Sequence, residues 1–289
     1  MAANVEKDSV TGTDTTGHEW DGIKELNTPL PKWWLYVFYA CIVWSIGYWV
    51  IYPAWPSLSG YTKGFLGYNT RAEFVETLAA AQESHKPFTD RIAAMSVEEV
   101  AADPELLGYS MAGGRAVFGE NCAPCHGAGG QGAQGFPVLA DDDWIWGGDL
   151  AAIQQTVLYG VRSTSDDTRI SDMPKFGVDA ILEPAQVADV AQYVLSLSGR
   201  AEDAAAAERG SAVFVEQCAL CHGEQGQGMA ELGAPNLADD IWLYGGSAAA
   251  VAAQINNPKQ GVMPTWDGRL SETAIKMATV YVHSLGGGQ

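Results

Sequence analysis

The sequence predicts a mainly α-helical protein in which a single N-terminal transmembrane helix is followed by two tandem domains of similar size. Three observations predict it: an uncharged apolar run of 20 residues near the N-terminus, an internal duplication beyond residue 110, and a helix-period apolar stripe closing each copy. A length of 289 residues suits about two domains, and 47% hydrophobic residues give each half material for a core. With 35 acidic side chains against 16 basic, the net charge of −19 excludes nucleic acid, whose phosphates need a basic surface, and favours basic partners. Five cysteines are too few for a disulfide framework, so their placement carries the information.

The apolar run extends from Trp33 to Tyr52, and at 1.5 Å rise per residue a helix of that length spans about 30 Å, the hydrocarbon thickness of a bilayer. Trp33, Trp34 and Tyr36 at one end and Tyr48, Trp49 and Tyr52 at the other suit headgroup-level rings, and Pro31 and Pro53 bracket the span. A buried core helix rarely runs so long without a polar face. A cleaved signal peptide needs a small-residue cleavage site, and YPAWPS offers none. Lys24 and Lys32 on one side balance Lys63 and Arg71 on the other, so flanking charge does not orient the span. Cys41 reads as a small apolar residue within it.

In the duplication, GGRAVFGENCAPCHGAGGQG from Gly113 aligns with RGSAVFVEQCALCHGEQGQG from Arg209, an offset of 96. LADDDWIWGG from Leu139 answers LADDIWLYGG from Leu237 at 98, and the Met-Pro pairs at Met173 and Met263 correspond at 90. Helical spacing puts Val187, Val190, Ala191, Val194 and Leu195 on one face, and Ile275, Ala278, Val282 and Leu285 on the equivalent face after a Ser271 N-cap. The polar, alanine-rich stretch 198–209 reads as the junction. The expected organisation is an N-terminal segment over 1–32, the span over 33–52, a linker with helical patches over 53–110, and domains over 111–199 and 200–289.

Cys122-Ala-Pro-Cys125-His126 and Cys218-Ala-Leu-Cys221-His222 both fit C-x-x-C-H, the attachment pattern of haem c. Two thiols three positions apart can form thioethers with the two vinyl groups of one haem, while the following imidazole addresses the iron. Zinc sites also use paired C-x-x-C units, but usually about 15–20 residues apart. Here the pairs are 96 apart, each with its own histidine in its own repeat. A thioredoxin-like pair would want a βαβ context, which is missing. The sequence therefore predicts two covalently bound haem c groups.

The sixth ligands follow from the repeat. Met173 and Met263 stand 47 and 41 residues after their histidines, each before a proline that holds it extended. A lone methionine is usually core filling, but two aligned Met-Pro pairs downstream of two haem sites read as ligands. Ligation by His126 and Met173, and by His222 and Met263, leaves no open iron position, which is the chemistry of electron transfer rather than catalysis at these haems. Local closure, each methionine serving its own module, is the simpler expectation, and exchange between modules is the alternative. Phe118 and Phe214, each four residues before its first cysteine, are expected to pack the opening helices on the closing helices near Tyr193 and Tyr281. Trp144 and Trp242 align, and could pack on a haem edge or bond a propionate. Met229 has no counterpart, and His18, His85 and His283 read as surface residues.

Haem c is attached outside the bacterial cytoplasm, so both modules are expected in the periplasm, with the N-terminus cytoplasmic and the span in the inner membrane. Beyond the span the chain carries 13 basic and 29 acidic residues, a charge of −16 that could steer a basic cytochrome toward it or serve solubility alone.

HEWDGIKELNTPLPKWW before a single span, then two C-x-x-C-H modules with Met-Pro pairs, resembles the dihaem subunit of cbb3-type cytochrome c oxidases, the CcoP or FixP family. The resemblance runs from about Thr16 onward, and the N-terminal stretch is its most discriminating part. It implies two class I-like cytochrome c domains, with thioethers on Cys122, Cys125, Cys218 and Cys221 and axial ligands at His126, His222, Met173 and Met263. It also implies electrons accepted from a soluble cytochrome c or a quinol–cytochrome c reductase, then passed through a monohaem subunit to a catalytic haem–copper subunit. A free-standing dihaem shuttle would share every haem residue without a reason for the N-terminal stretch. A dihaem peroxidase, or a sensor with a labile Met–iron bond, would need an open or displaceable ligand.

Overall fold

The computed structural model of the chain describes residues 5–286. They divide into one unit up to Gln82 and another from Glu83. In the first, the HEWDGIKEL stretch is an antiparallel hairpin of β1 (Thr15–Trp20) and β2 (Ile23–Leu26). Asp21 and Gly22 both take positive φ, 49° and 85°, the conformation a tight Asp-Gly hairpin turn requires. α1 (Lys32–Ile51) follows Pro31 and lies one residue earlier than the expected span at both ends. Its apolar side chains are exposed all round, with Trp33, Val43 and Trp44 each at least two-thirds accessible, a surface suited to lipid rather than water. A short pair, β3 (Pro56–Ser57) and β4 (Gly60–Tyr61), follows.

The second unit contains the C-terminal part of α2 (Thr70–Ala94), then α3 (Val97–Ala102) and α4 (Pro104–Asn121). Ser96 and Glu99 form a reciprocal capping box on α3. Asp103 then caps α4, with Pro104 at the first helical position, so the helical stretch after Ser96 is broken into two helices. This stretch, expected as a spacer, is packed: Ile92, Val97, Val100 and Leu106 are fully buried in one cluster with Val280. Lys276 is buried too, its Nζ donating to the carbonyls of Ile92, Ala93 and Met95 at 3.2, 3.0 and 2.7 Å, so it closes the C-terminal end of α2.

The remaining helices are α5 (Ala123–His126), α6 (Leu150–Tyr159), α7 (Pro184–Leu197), α8 (Ala204–Gln217), α9 (Ala219–His222), α10 (Ala248–Asn256) and α11 (Glu272–His283). α7 buries Val187, Val190, Ala191, Val194 and Leu195, the face its spacing predicts. Ser271 caps α11, accepting from the Ala274 N–H. The stretch read as a junction supplies a helix start instead, because Asp203 caps α8 and Ala206 and Ala207 are buried.

The closing helices are exchanged. α11 packs on α4 and α6, whereas α7 packs on α8 and α10. One core joins Phe118, Ile153 and Val157 of the first copy to Trp266, Ile275 and Val282 of the second. The other joins Phe176, Leu182 and the α7 face to Phe214, Val251 and Ile255. Phe118 meets Tyr281 at 5.4 Å between ring centroids, and Phe214 meets Tyr193 at 5.0 Å. The copies therefore do not close on themselves in packing: each opening helix packs on the closing helix of the other copy. The physical reason lies in the connection from Leu197 to Ala204, which is short enough to make α7 and α8 direct antiparallel neighbours.

Both helix crossings depend on one glycine. A Cβ on Gly114 would lie 2.1 Å from the Met277 carbonyl oxygen, and one on Gly210 would lie 2.1 Å from that of Asp189. The obstacle is backbone, so the helices must separate. Gly114→Ala and Gly210→Ala are each expected to cost about 3 kcal/mol, the upper range for overpacking, despite the better helix propensity of alanine. Thermal melts of the two variants check this, and unchanged melting would show that the crossings can widen freely.

Candidate functional site: two C-x-x-C-H pockets with exchanged methionine loops

Each cysteine pair sits where an opening helix ends. Cys122 caps α4 and Cys218 caps α8, and the chain then turns into the four-residue helices α5 and α9. The His126 and Cys125 N–H groups donate to the Cys122 carbonyl at 2.9 and 3.1 Å, and His222 and Cys221 repeat this on Cys218 at 3.0 and 3.1 Å. The turn holds both cysteines and the histidine of each motif within a single turn of backbone. Cys122 and Cys218 are half-buried against the two cores, while Cys125 and Cys221 are exposed. Burial, reinforced by the neighbouring Cys125 or Cys221 thiol, pushes each inner thiol up to about 11 in the unmodified chain.

The histidines are fixed by backbone. Nδ1 of His126 lies 3.0 Å from the Pro137 carbonyl, and Nδ1 of His222 lies 3.0 Å from that of Pro235. A carbonyl can only accept, so Nδ1 carries the proton and Nε2 keeps its lone pair for a metal. Burial lowers both imidazole pKa values, with the carbonyl bond acting in the opposite sense, and this favours the neutral ligand form. The loops after the histidines match as well: Gly132 N–H donates to His126 O at 2.7 Å, and Gly228 N–H to His222 O at 2.8 Å. Gly127 and Gly223 take φ near +80°, the left-handed region that favours glycine.

The methionine loops cross over. Met173 packs on the core that holds Phe214 and Cys218, and Met263 on the core that holds Phe118 and Cys122. Met263 exchanges two backbone bonds with Val161 at 3.0 Å each, and Trp266 N–H donates to Val157 O at 3.2 Å, so the second copy's loop is stitched to the first copy's α6. Reciprocally, Val178 N–H donates to Asn256 O on α10 at 3.1 Å. Sequence spacing brings the right residue types to notice but pairs them within a copy, and the structure pairs them across copies.

Trp144 and Trp242 lie over Gly148 and Gly246, where a Cβ would come within 2.4 and 2.6 Å of the indole rings. The Trp242 Nε1 is buried without a hydrogen-bond partner among the described residues, a donor suited to a carboxylate such as a haem propionate. These features fit haem c: two thiols and a pre-oriented imidazole on one side, a thioether loop on the same core, and an unsatisfied buried donor. The other histidines lie elsewhere, His85 bonding Tyr109 Oη at 3.0 Å and His18 stacking on Trp20. Met229 pairs through its backbone with Ala234.

The acidic stretches that precede the tryptophans come together. Burial pushes the Asp143 carboxyl up to about 6, with Asp239 of the other copy, Asp141 and Asp142 adding like charge. Its folded value lies above the 3.8 of the unfolded chain, so the stability it contributes is full below 3.8 and is lost as pH rises through about 6. Asp143→Asn is therefore expected to melt above the parent protein when pH exceeds about 6 and to match it below 3.8. Melting curves over that range check the sign.

The class defined by these features is a dihaem cytochrome c carrying one apolar helix of membrane-spanning length. Residues 12–59 match the N-terminal domain of cytochrome oxidase-cbb3, FixP. Residues 111–198 match cytochrome c, and 205–282 match cytochrome C oxidase, cbb3-type, subunit III. The cbb3-type cytochrome c oxidase subunit CcoP of Azospirillum brasilense is 53% identical over 294 residues, covering 99% of this chain and 100% of the relative. Subunit FixP of a Bradyrhizobium species (strain ORS 278) is 53% identical over 293 residues, and CcoP of Cereibacter sphaeroides 48% over 290, both covering 100% of each chain. The chain belongs to the CcoP/FixP family of cbb3-type cytochrome c oxidase subunits. It is an electron-transfer subunit with two covalently bound haem c groups.

Proposed function

We propose that the chain is the membrane-anchored dihaem subunit of a cbb3-type oxidase complex, with its N-terminus cytoplasmic and both haem modules periplasmic. Cys122 and Cys125 hold one haem through thioethers with His126 as proximal ligand, and Cys218, Cys221 and His222 hold the other. Met263, packed on the core of Cys122, and Met173, packed on the core of Cys218, would supply the sixth ligands there. The observation that carries this reading is the pairing, in each core, of a carbonyl-fixed histidine with a methionine loop stitched in from the other copy. When bound, haem c supplies a reversible one-electron iron couple. The chain's part is to exclude water around it with the two cores, to keep each imidazole in the metal-binding tautomer, and to hold the thioethers so that no position is left for oxygen. Trp242 Nε1, buried and unpartnered among the described residues, would be the donor for a propionate in the second module. The donor is a soluble cytochrome c or a quinol–cytochrome c reductase, the charge of −16 beyond the span favouring a basic partner. Electrons leave through a monohaem subunit to the haem–copper subunit, where oxygen is reduced.

Purification through a tag on this chain in mild detergent, followed by a reduced-minus-oxidised spectrum and oxygen-uptake measurement, tests the assignment. Haem b absorbance co-purifying with haem c, together with oxygen consumption, is expected. Haem c alone without oxygen uptake would make the chain a free-standing shuttle.

A further inference from the structure

The two copies differ most between the helix that follows the haem motif and the Met-Pro pair. Their offset falls there from 98 to 90, so the first copy carries eight extra residues in this connection. The same connection contains Arg162, which has an unusual backbone and side-chain bonds to carbonyls nine and 99 residues away. Its φ is +50°, a left-handed conformation that costs a non-glycine residue about 1 kcal/mol and persists only where surroundings enforce it. Enforcement is visible on both sides. Val161 exchanges two backbone bonds with Met263, Arg162 N–H donates to Arg169 O at 2.8 Å, and Gly160 lies so close that a Cβ there would sit 2.3 Å from Met263 O.

The guanidinium then reaches both methionine loops. Nε donates to Gly261 O at 2.8 Å, two residues before Met263, and Nη1 donates to Ser171 O at 2.9 Å, two residues before Met173. A second tie lies beside it. The Gln260 amide, oriented so that its oxygen and nitrogen are both satisfied, donates to Ser171 O at 3.1 Å and to Asp172 Oδ1 at 2.8 Å. The fork of an arginine can serve two carbonyls at once with little loss of freedom per bond, whereas lysine offers a single point-like head.

We infer that Arg162 is a positioning residue for both haem sites, a single guanidinium that clasps the Met173 and Met263 loops together and sets each thioether against its own core. The inference rests on the assignment of these methionines as sixth ligands. A thioether–iron bond is held by the loop that presents it, so a loop that loses a charge-assisted bond yields its position more readily to a competing ligand. The positive charge beside both loops also favours the reduced form at each site, so loss of Arg162 lowers both potentials together.

The test uses the full-length, haem-loaded protein in its detergent-solubilised complex. Arg162→Asn keeps a residue that tolerates positive φ but is too short to reach either carbonyl, and Arg162→Lys keeps the charge without the fork. Imidazole is titrated against the long-wavelength charge-transfer band of methionine-ligated ferric haem, and both midpoint potentials are measured. In Arg162→Asn, imidazole is expected to displace methionine about tenfold more readily at both haems, with both potentials lowered and helicity unchanged. Arg162→Lys should restore one loop more than the other. A change confined to one haem in Arg162→Asn, or parent behaviour at both, overturns the clasp. Should Arg162→Asn fail to accumulate, Arg162→Lys decides: displacement that differs from the parent and is unequal at the two haems supports the clasp, and parent values at both overturn it. Met173→Ala and Met263→Ala are read alongside. If each abolishes the band at one haem, the ligand assignment stands whatever Arg162 shows. If neither does, that assignment fails and the clasp with it.

Discussion

A chain ended after Gly199 is expected to lose its first haem module as well as its second. Although it retains a whole sequence repeat, it lacks α11, which covers α4. Phe118 would lose Tyr281, and Ile153 and Val157 would lose Ile275, Val282 and Trp266. The carbonyls that end α2 would lose Lys276, and α7 would be left without α8 and α10. Exposing about five such side chains, at roughly 1.5–3 kcal/mol each, removes as much free energy as a domain of this size possesses. A chain of residues 83–162 joined by a short turn to 262–286 should instead fold around one haem, because Val161 and Met263 already face each other as backbone partners. Covalent haem content and cooperative melting of the two pieces discriminate. If the chain ended after Gly199 holds haem with methionine ligation and the rearranged piece does not, the exchanged arrangement is not the one formed in solution.

The sequence carried the haem chemistry openly and concealed the pairing. C-x-x-C-H is local, as is the apolar stripe of α7 or the Ser271 cap, so each is legible from a few neighbouring residues. Which closing helix covers which opening helix is not local. Phe118 faces a tyrosine at either Tyr193 or Tyr281, and the two copies offer chemically equal partners, so hydrophobic pattern cannot choose. Connection length could have chosen, because the few residues from Leu197 to the Asp203 cap turn α8 straight back along α7 and make the two direct neighbours. The stretch read as a polar junction hid that cap among its alanines. The spacer before the first module concealed a second signal, since Ser96 and Glu99 stand in capping-box spacing ahead of the buried Val100. Arg162 was illegible for a different reason. Its partners are backbone carbonyls nine and 99 residues away, and a carbonyl has no residue type to recognise.

Replacing Met263 by alanine is expected to strip the sixth ligand from the haem attached at Cys122 and Cys125, not from the haem of its own repeat. Met173→Ala should do the same at Cys218 and Cys221. The expectation follows from which core each methionine touches: Met263 lies with Cys122, Ala123 and Phe118, and Met173 with Cys218, Ala219 and Phe214. Backbone bonds to Val161 and Val157 keep the Met263 loop there, so the alanine variant should retain its fold and lose only the thioether. Axial ligands set haem potentials over a range of about 0.8 V, so loss of the thioether should lower the affected potential by roughly 0.1 V or more. It should also open that iron to carbon monoxide, which both sites of the parent should refuse under the proposed ligation. Assigning the affected haem needs a background in which only one is attached, and Cys218→Ser with Cys221→Ser supplies it. There, Met263→Ala should drop the remaining potential and admit carbon monoxide, while Met173→Ala should leave both properties as they were. The reverse result would return each methionine to its own repeat, and would mean that α11 covers α4 without delivering the ligand its preceding loop carries.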